Sequence, residues 1–284
     1  MRREIDGIDD AIHDLIMKRA DLVLKIGAAK QQAGDSGELP VRLAREMAIL
    51  RRLLARHRPP LPHAAITRIW HEIMAAAAQM QAPYTVAVVS NAAHGWVWDL
   101  ARNRFGSQTP LTAHKNPREA LSLLFDRKAG MAVLPVPQDD DDAPWWPMLD
   151  AADPPKIVMR LPYGGVAVPA GQPDKAAFVV ARMAPEKWTS ADDMVSLLML
   201  ATTDALSRDG MRQACQKAGL PAEKITVDKN AQWAYLVEVA GLVDETDARL
   251  TRLGENLPLQ RMRLIGQYPK ITIPAMPATK GQNR

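Results

Sequence analysis

The sequence is poor in cysteine and has no long apolar run. Cys215 is the single cysteine in 284 residues, which excludes an internal disulfide framework and suits a reducing cytoplasm. No apolar stretch follows the basic start, so we expect no signal peptide. No segment approaches the roughly 20 consecutive apolar residues that a membrane helix needs. We therefore expect a cytoplasmic protein without a membrane partner.

Metal-ligand spacings and basic clusters are also missing. The six histidines are scattered without the spacing of a metal site. The net charge is only +4, and no run of lysine and arginine or stripe of basic and aromatic residues suggests nucleic-acid binding. The hydrophobic fraction of 47% and charged fraction of 24% are typical of a globular protein, and the length allows roughly two domains.

The first 82 residues have the apolar periodicity of three helices. We predict helices from Arg2 to about Gln32, from about Val41 to His57 and from about Ala64 to Gln81, separated by a glycine-containing break and a proline-rich stop. Three helices of such unequal length do not close easily into a monomeric bundle. The pattern therefore favours an intertwined homodimer that buries the long first helix.

Polar side chains stand in the apolar stripe of each predicted helix. Arg19 and Lys30 are 11 residues apart, about three turns, so they point in the same direction. Glu46 shares the apolar face of the second helix, and Gln81 follows the stripe of the third. Any one of them could be a snorkelling or terminal residue. Because buried cations need an anionic partner, the set predicts a pocket for an acidic small molecule.

Arg2 does not fit the same direction. It precedes Arg19 by 17 residues, which is not a whole number of helical turns. On one straight helix it projects away from the side that carries Arg19 and Lys30. In a dimer of long helices it could serve the site of the other subunit, and otherwise it is a solvated terminal arginine.

From Tyr84 onward, strands and helices alternate. Residues 83–190 begin with a βαβ-like pattern, which predicts a parallel sheet, and form a shortened α/β region. Residues 191–270 follow the order βαββαβ of a ferredoxin-like domain. Residues 271–284 are proline-rich and expected to be disordered. The predicted fold class is thus multidomain, with an all-α part followed by α+β parts.

The whole of residues 1–82 resembles the all-helical chorismate mutase family. The resemblance is carried by Arg2 to Asp9, Arg19, Gly27 to Lys30, Pro40 to Glu46, Ile66 to Trp70 and Gln81. It implies an intertwined homodimer that converts chorismate into prephenate, in phenylalanine and tyrosine biosynthesis, by an intramolecular Claisen rearrangement that needs no cofactor. It further implies that Arg19 and Arg2 of the partner subunit bind the two carboxylates, and that Arg45 assists a carboxylate or orients Glu46.

The same resemblance assigns the remaining polar groups. Lys30 and Gln81 are expected to donate hydrogen bonds to the breaking ether oxygen, and Glu46 to accept one from the ring hydroxyl. Two positions depart from the family. Arg42 stands where an aspartate is common, and Ala77 where a small hydroxyl residue is common. We expect these two changes to weaken contacts with a hydroxyl or carboxylate without abolishing the reaction.

The rest of the chain resembles bifunctional chorismate mutase–prephenate dehydratases, followed by an ACT-like regulatory domain. The dehydratase motifs are altered: Lys175-Ala176-Ala177-Phe178 replaces the triplet with the catalytic threonine, and Pro137-Gln138-Asp139 replaces a Glu-Asn-Ser turn. The phenylalanine-binding motif of the ACT domain is replaced near Val227 to Asn230. We expect mutase activity without dehydratase activity. The alternatives are a bifunctional enzyme and a non-catalytic regulatory or scaffold protein.

Overall fold

Three helices form the first part of the protein, as the periodicity predicts. A computed structural model describes residues 1–32, 39–163, 175–183, 186, 193–228 and 230–270. The helices are α1 (Arg2–Gln32), α2 (Leu43–Ala55) and α3 (His63–Gln81). Each lies within two residues of its predicted bounds, because apolar spacing and the flanking proline and glycine residues are local signals.

Helix α1 is covered along only part of its length. Val23 and Gly27 are buried where α1 packs on α3. A Cβ atom on Gly27 would lie 3.4 Å from Cγ of Gln81, so the two helices are already in contact there. The N-terminal half is uncovered, and five large apolar side chains in it are 41 to 66% exposed: Ile5, Ile8, Ile12, Leu15 and Ile16. Of the predicted apolar stripe, Val23 is buried, whereas Leu22 and Ile26 are each 53% exposed, like the stripe residues of the N-terminal half.

Nine strands follow and form one mixed sheet. The strands are β1 (Val86–Val89), β2 (Leu111–His114), β3 (Met131–Pro135), β4 (Lys156–Leu161), β5 (Ala177–Ala181), β6 (Met194–Thr202), β7 (Ala222–Asp228), β8 (Ala231–Ala240) and β9 (Leu259–Pro269). Their order across the sheet is β2-β1-β3-β5-β4-β9-β6-β8-β7. Four helices pack on it: α4 (Gly95–Phe105), α5 (Pro117–Phe125), α6 (Arg208–Ala218) and α7 (Ala248–Asn256).

The prediction of a parallel sheet in the middle region is only partly right. Strand β1 pairs in parallel with β2 and β3, as a βαβ pattern requires. Strand β5, however, runs antiparallel to both of its neighbours, β3 and β4. The sequence prediction also missed β2, because its four residues are half-exposed to exposed and lack the apolar run of the buried strands.

The last part has the predicted order βαββαβ. Strands β9, β6, β8 and β7 lie side by side and all pair antiparallel. Ser207 is the N-cap of helix α6, and its Oγ accepts a hydrogen bond from the N–H of Gly210 at 3.0 Å. Gly219, with a φ of +80°, is the C-cap. Serine at the N-cap and a left-handed glycine at the end explain why the helix has these bounds.

The two groups of strands join where β4 meets β9. Gly266 of β9 is in parallel register with Ile157 of β4. A Cβ atom at position 266 would lie 2.7 Å from the backbone nitrogen of Ile157, closer than real Cβ atoms approach. The sheet therefore continues across the expected boundary near residue 190 only because position 266 lacks a side chain. The division into separate domains stays a prediction, and the predicted disordered tail, 271–284, lies outside the described residues.

Candidate functional site

Arg19 lies against α3, and its charge is coupled to the charges of Arg45 and Glu46 on α2. The guanidinium carbon of Arg19 lies 5.9 Å from the centre of the Trp70 ring on α3. Burial lowers the pKa of Arg19, the positive charge of Arg45 lowers it further, and the negative charge of Glu46 opposes both. The charge of Arg19 is thus coupled to one acidic and one basic side chain of α2, and their common pocket stays a prediction.

Glu46 is buried and has a partner that the sequence did not reveal. Glu46 is only 8% exposed, and its Oε2 accepts a hydrogen bond from Nη2 of Arg104 at 2.5 Å. Arg104 lies in the last turn of α4 and is 3% exposed. The sequence does indicate that Arg104 is buried, because it continues the apolar spacing of Val97 and Ala101 on its helix. No local pattern, however, identifies Glu46 as its partner.

Gln81 and Lys30 lie toward the end of α1. Gln81, the last residue of α3, contacts α1 at Gly27, and its Nε2 donates to the carbonyl oxygen of Ala77 at 3.3 Å. Lys30 follows Gly27 by three residues, which is nearly one turn, and is half-buried. The side-chain amide of Gln81 is therefore close to the turn of α1 that carries Lys30.

Arg2 lies far from these groups in one subunit. It is exposed at the first residue of α1, and 17 residues of helix separate it from Arg19 by roughly 25 Å along the axis. The two arginines therefore do not meet in one chain.

A buried polar seam joins α3 to the α/β region close to Arg104. Nδ1 of His71 lies 3.2 Å from the carbonyl oxygen of Asn103, so a neutral His71 donates its Nδ1–H there. Burial, with a further contribution from the positive charge of Arg104, lowers the pKa of His71 to about 3. His71 is thus uncharged at neutral pH and does not compete with Arg104 for Glu46.

A cavity in the α/β part lies at the carboxyl ends of β1 and β3. Its volume is about 430 Å³, and its lining includes His94 and Trp96 from the start of α4. Gln138, Lys175 and Ala176 also line it, so both altered dehydratase motifs meet in one place. None of the described residues that line this cavity is a serine or threonine. The cavity has the position of a ligand site in an α/β sheet, and its described lining residues do not supply the hydroxyl of the dehydratase motif.

The described residues offer neither a metal site nor a membrane helix. Within the described ranges, no three histidine, cysteine, aspartate or glutamate side chains are grouped so that they could hold a metal ion. No described helix combines the length and apolar character needed to cross a bilayer.

Comparison with known proteins finds similarity in the helical part. Residues 1–82 match the family model of chorismate mutase type II. A bifunctional chorismate mutase/prephenate dehydratase from Pseudomonas aeruginosa is 30% identical over 89 residues, which cover 31% of this chain and 24% of that protein. The match therefore spans about a quarter of the relative's length.

Solved structures with partial likeness cover about two thirds of the chain. A quorum quenching acylase, GqqA, is 12% identical, with a TM-score of 0.46, over 68% of this chain and 98% of its own. A prephenate dehydratase from Streptococcus mutans is 13% identical, with a TM-score of 0.43, over 66% of this chain and 100% of its own. Likeness at this level leaves the activity of the chain open.

Proposed function

We propose that this chain, whose residues 1–82 match the chorismate mutase type II family, is an isomerase that converts chorismate into prephenate in phenylalanine and tyrosine biosynthesis. The observation that carries the proposal is the match of residues 1–82 to that family, and the coupling of the half-buried Arg19 to Arg45 and Glu46 supports it. Chorismate carries two carboxylates, and arginine side chains bind carboxylates through two parallel N–H donors.

The reaction suits a site without a nucleophile, metal or cofactor. An intramolecular Claisen rearrangement breaks an ether bond and forms a carbon–carbon bond within one molecule. The protein contributes by holding a flexible substrate in a compact conformation and by stabilising negative charge on the ether oxygen. In this proposal, Arg19 binds one carboxylate and Arg45 assists that contact or orients Glu46.

Three further side chains face the reacting part of the substrate in this proposal. Lys30 and Gln81 donate to the ether oxygen, and their placement on touching segments of α1 and α3 supports a shared role. Glu46 accepts a hydrogen bond from the ring hydroxyl. A glutamine donates in its neutral form, so we expect little change of rate between mildly acidic and neutral pH.

A homodimer completes the proposed site. The exposed apolar side chains of α1 include Ile12, which lies on the same side of the helix as the buried Val23, so a second copy of α1 fits there as an apolar partner. Because Arg2 is roughly 25 Å from Arg19 along one helix, it acts in the site of the partner subunit. Each site then has Arg19 from one subunit and Arg2 from the other for the two substrate carboxylates.

The α/β part is proposed to have lost dehydratase activity. The cavity where the altered motifs meet has no hydroxyl among its described lining residues, which supports the loss of the catalytic threonine. In this proposal the α/β part contributes to stability, assembly or regulation. The βαββαβ part, which is ACT-like, is the candidate for regulation. We place the protein in the cytoplasm, in keeping with its single buried cysteine.

A product assay on the full chain tests these proposals. Purified protein is incubated with chorismate, and chorismate, prephenate and phenylpyruvate are each measured. Prephenate alone is the expected result, phenylpyruvate as a further product would mean a bifunctional enzyme, and unchanged chorismate would favour a non-catalytic scaffold. Arg19→Gln should abolish most activity, whereas Lys18→Gln, a charge change at the exposed neighbouring position, should not.

A further inference from the structure

Helix α2 is held from the α/β part at its beginning and near its end. The backbone N–H groups of Leu43 and Ala44 both donate to the carboxylate of Glu186 at 2.8 Å, which caps the helix. Near the other end, Nη2 of Arg51 donates to Asp193 at 2.7 Å. The helix that carries Arg45 and Glu46 is therefore attached at both ends to residues beyond position 180.

Between these two attachments lies the ion pair of Glu46 and Arg104. Both residues are buried, so the pair is poorly screened by solvent. Arg104 binds one carboxylate oxygen, Oε2, and a carboxylate has two oxygens that can accept. A substrate hydroxyl that reaches Glu46 would therefore be accepted by the second oxygen, Oε1.

Apart from its ion pair with Glu46, Arg104 is contacted from the α/β part. Its Nε donates to Sδ of Met159 in β4 at 3.3 Å. Its guanidinium carbon lies 5.3 Å from the centre of the Tyr163 ring and 5.3 Å from that of Phe105. A planar guanidinium held by two rings and a sulfur atom has little freedom to turn, so it presents Nη2 to Glu46 in one orientation.

We propose that Arg104 is a positioning residue of the mutase site, which fixes Glu46 through Oε2 so that Oε1 accepts the hydrogen bond from the ring hydroxyl of the substrate. This inference rests on the proposed mutase function and adds a residue from outside residues 1–82 to it. The α/β part then completes the mutase site and is more than an attached remnant.

The charges around Glu46 explain why such a partner is needed. The charge of Glu46 is coupled to those of Arg19 on α1 and Arg104 on α4. It also contributes to raising the pKa values of Tyr84 and Tyr163. Without Arg104, the buried carboxylate would turn to Arg19, because a buried charge requires a counter-charge. Arg19 would then be neutralised before the substrate carboxylate arrived. Arg104 thus keeps Arg19 available as well as orienting Glu46.

A double-mutant cycle in the full chain tests the inference. Arg104→Gln, Glu46→Gln and the double variant are compared with the wild type in kcat and KM for chorismate. Arg104→Gln should lower kcat/KM about tenfold or more, with a higher KM because Arg19 becomes engaged, and it should add little to Glu46→Gln. Arg104→Lys should recover part of the loss, since it restores the charge without the fork.

Arg102→Gln is the matched control. Arg102 lies on the same helix two residues away, is half-buried, and donates to the carbonyl oxygen of Ser107 at 2.6 Å, outside the mutase site. This variant should keep the wild-type kcat and KM. Circular dichroism and melting temperatures are recorded for every variant, so that a folding defect is separated from a kinetic one.

Two results would overturn the positioning role. One is an Arg104→Gln variant with the kinetics of the Arg102→Gln control, and the other is an equal loss from Arg104→Gln in the wild-type and Glu46→Gln backgrounds. If Arg104→Gln does not fold, Arg104→Lys in the same two backgrounds decides between these outcomes. A wild-type chain that leaves chorismate unchanged would instead refute the proposed function, and this role with it.

Discussion

Replacing Ile12 with aspartate should separate the proposed dimer and abolish mutase activity. Ile12 stands in the open half of the α1 stripe and is 50% exposed in one subunit. It lies on the same side of the helix as Val23, which α3 buries, because 11 residues make about three turns. A second copy of α1 would cover it, and a carboxylate there would be taken out of water without a partner.

The expected size of the effect follows from the exposed areas. The five large side chains of the open half are each about half exposed, so covering them contributes roughly 1 kcal/mol each, about 5 kcal/mol per subunit. Ile12→Asp removes about 1 kcal/mol of this and adds at least about 1 kcal/mol for desolvating a carboxylate. Since a two-fold dimer contains the change twice, association weakens by at least about 4 kcal/mol, or about 10³-fold in Kd.

Met17→Asp is the matched control for this experiment. Met17 is also 50% exposed and lies five residues further along the same helix, so it points roughly 140° away from Ile12. Sedimentation equilibrium over a range of concentrations should give a dimer for the wild type and Met17→Asp, and a monomer for Ile12→Asp. Mutase activity should follow the dimer, because Arg2 reaches only the site of the other subunit. A dimeric Ile12→Asp, or equal dissociation of both variants, would refute the reasoning.

Three other substitutions test the site and the fold. Lys30→Ala should lower kcat by roughly 10²–10³ through loss of a donor to the ether oxygen, and an unchanged kcat at an unchanged melting temperature would contradict that role. Gly266→Ala should lower the urea-derived free energy of unfolding by about 3 kcal/mol because its Cβ overlaps the backbone of β4, whereas Gly254→Ala, with open space around it, should cost nothing. His71→Gln should reduce the loss of stability on acidification: burial lowers the pKa of His71 from 6.5 to about 3, and the unfolded chain gains the proton first. Between pH 6.5 and 4.5 the wild type should therefore lose about 2 kcal/mol more than this variant, and His13→Gln, an exposed control, should behave as the wild type.

The helices and the family resemblance were within reach of the sequence. Local apolar spacing and breakers gave α1, α2 and α3 to within two residues, and the match of residues 1–82 to chorismate mutase type II confirms the resemblance. Strand pairing was harder, because direction depends on partners far along the chain. The antiparallel direction of β5 has no local signal, and β2 has neither length nor apolar character.

The site was predictable to a similar extent. Helical phase alone brought Arg19 and Glu46 toward one place, because both stand in apolar stripes. The roles assigned to them remain proposals. Arg104 escaped prediction because it lies 58 residues from Glu46 in the sequence, and only the tertiary structure, in which α3 packs on both α2 and α4, brings them together. A charged residue in an apolar stripe signals a hidden partner but does not name it.

The central place of β9 in the sheet has a consequence for synthesis. β9 is the last strand of the described residues, yet it lies between β4 and β6. A nascent chain that still has β9 in the ribosomal tunnel leaves β4 and β6 with unpaired edges, which are prone to association with other chains. We expect chains that end before Leu259 to be cut readily by protease while longer chains resist, and equal resistance would show that the earlier strands close without β9.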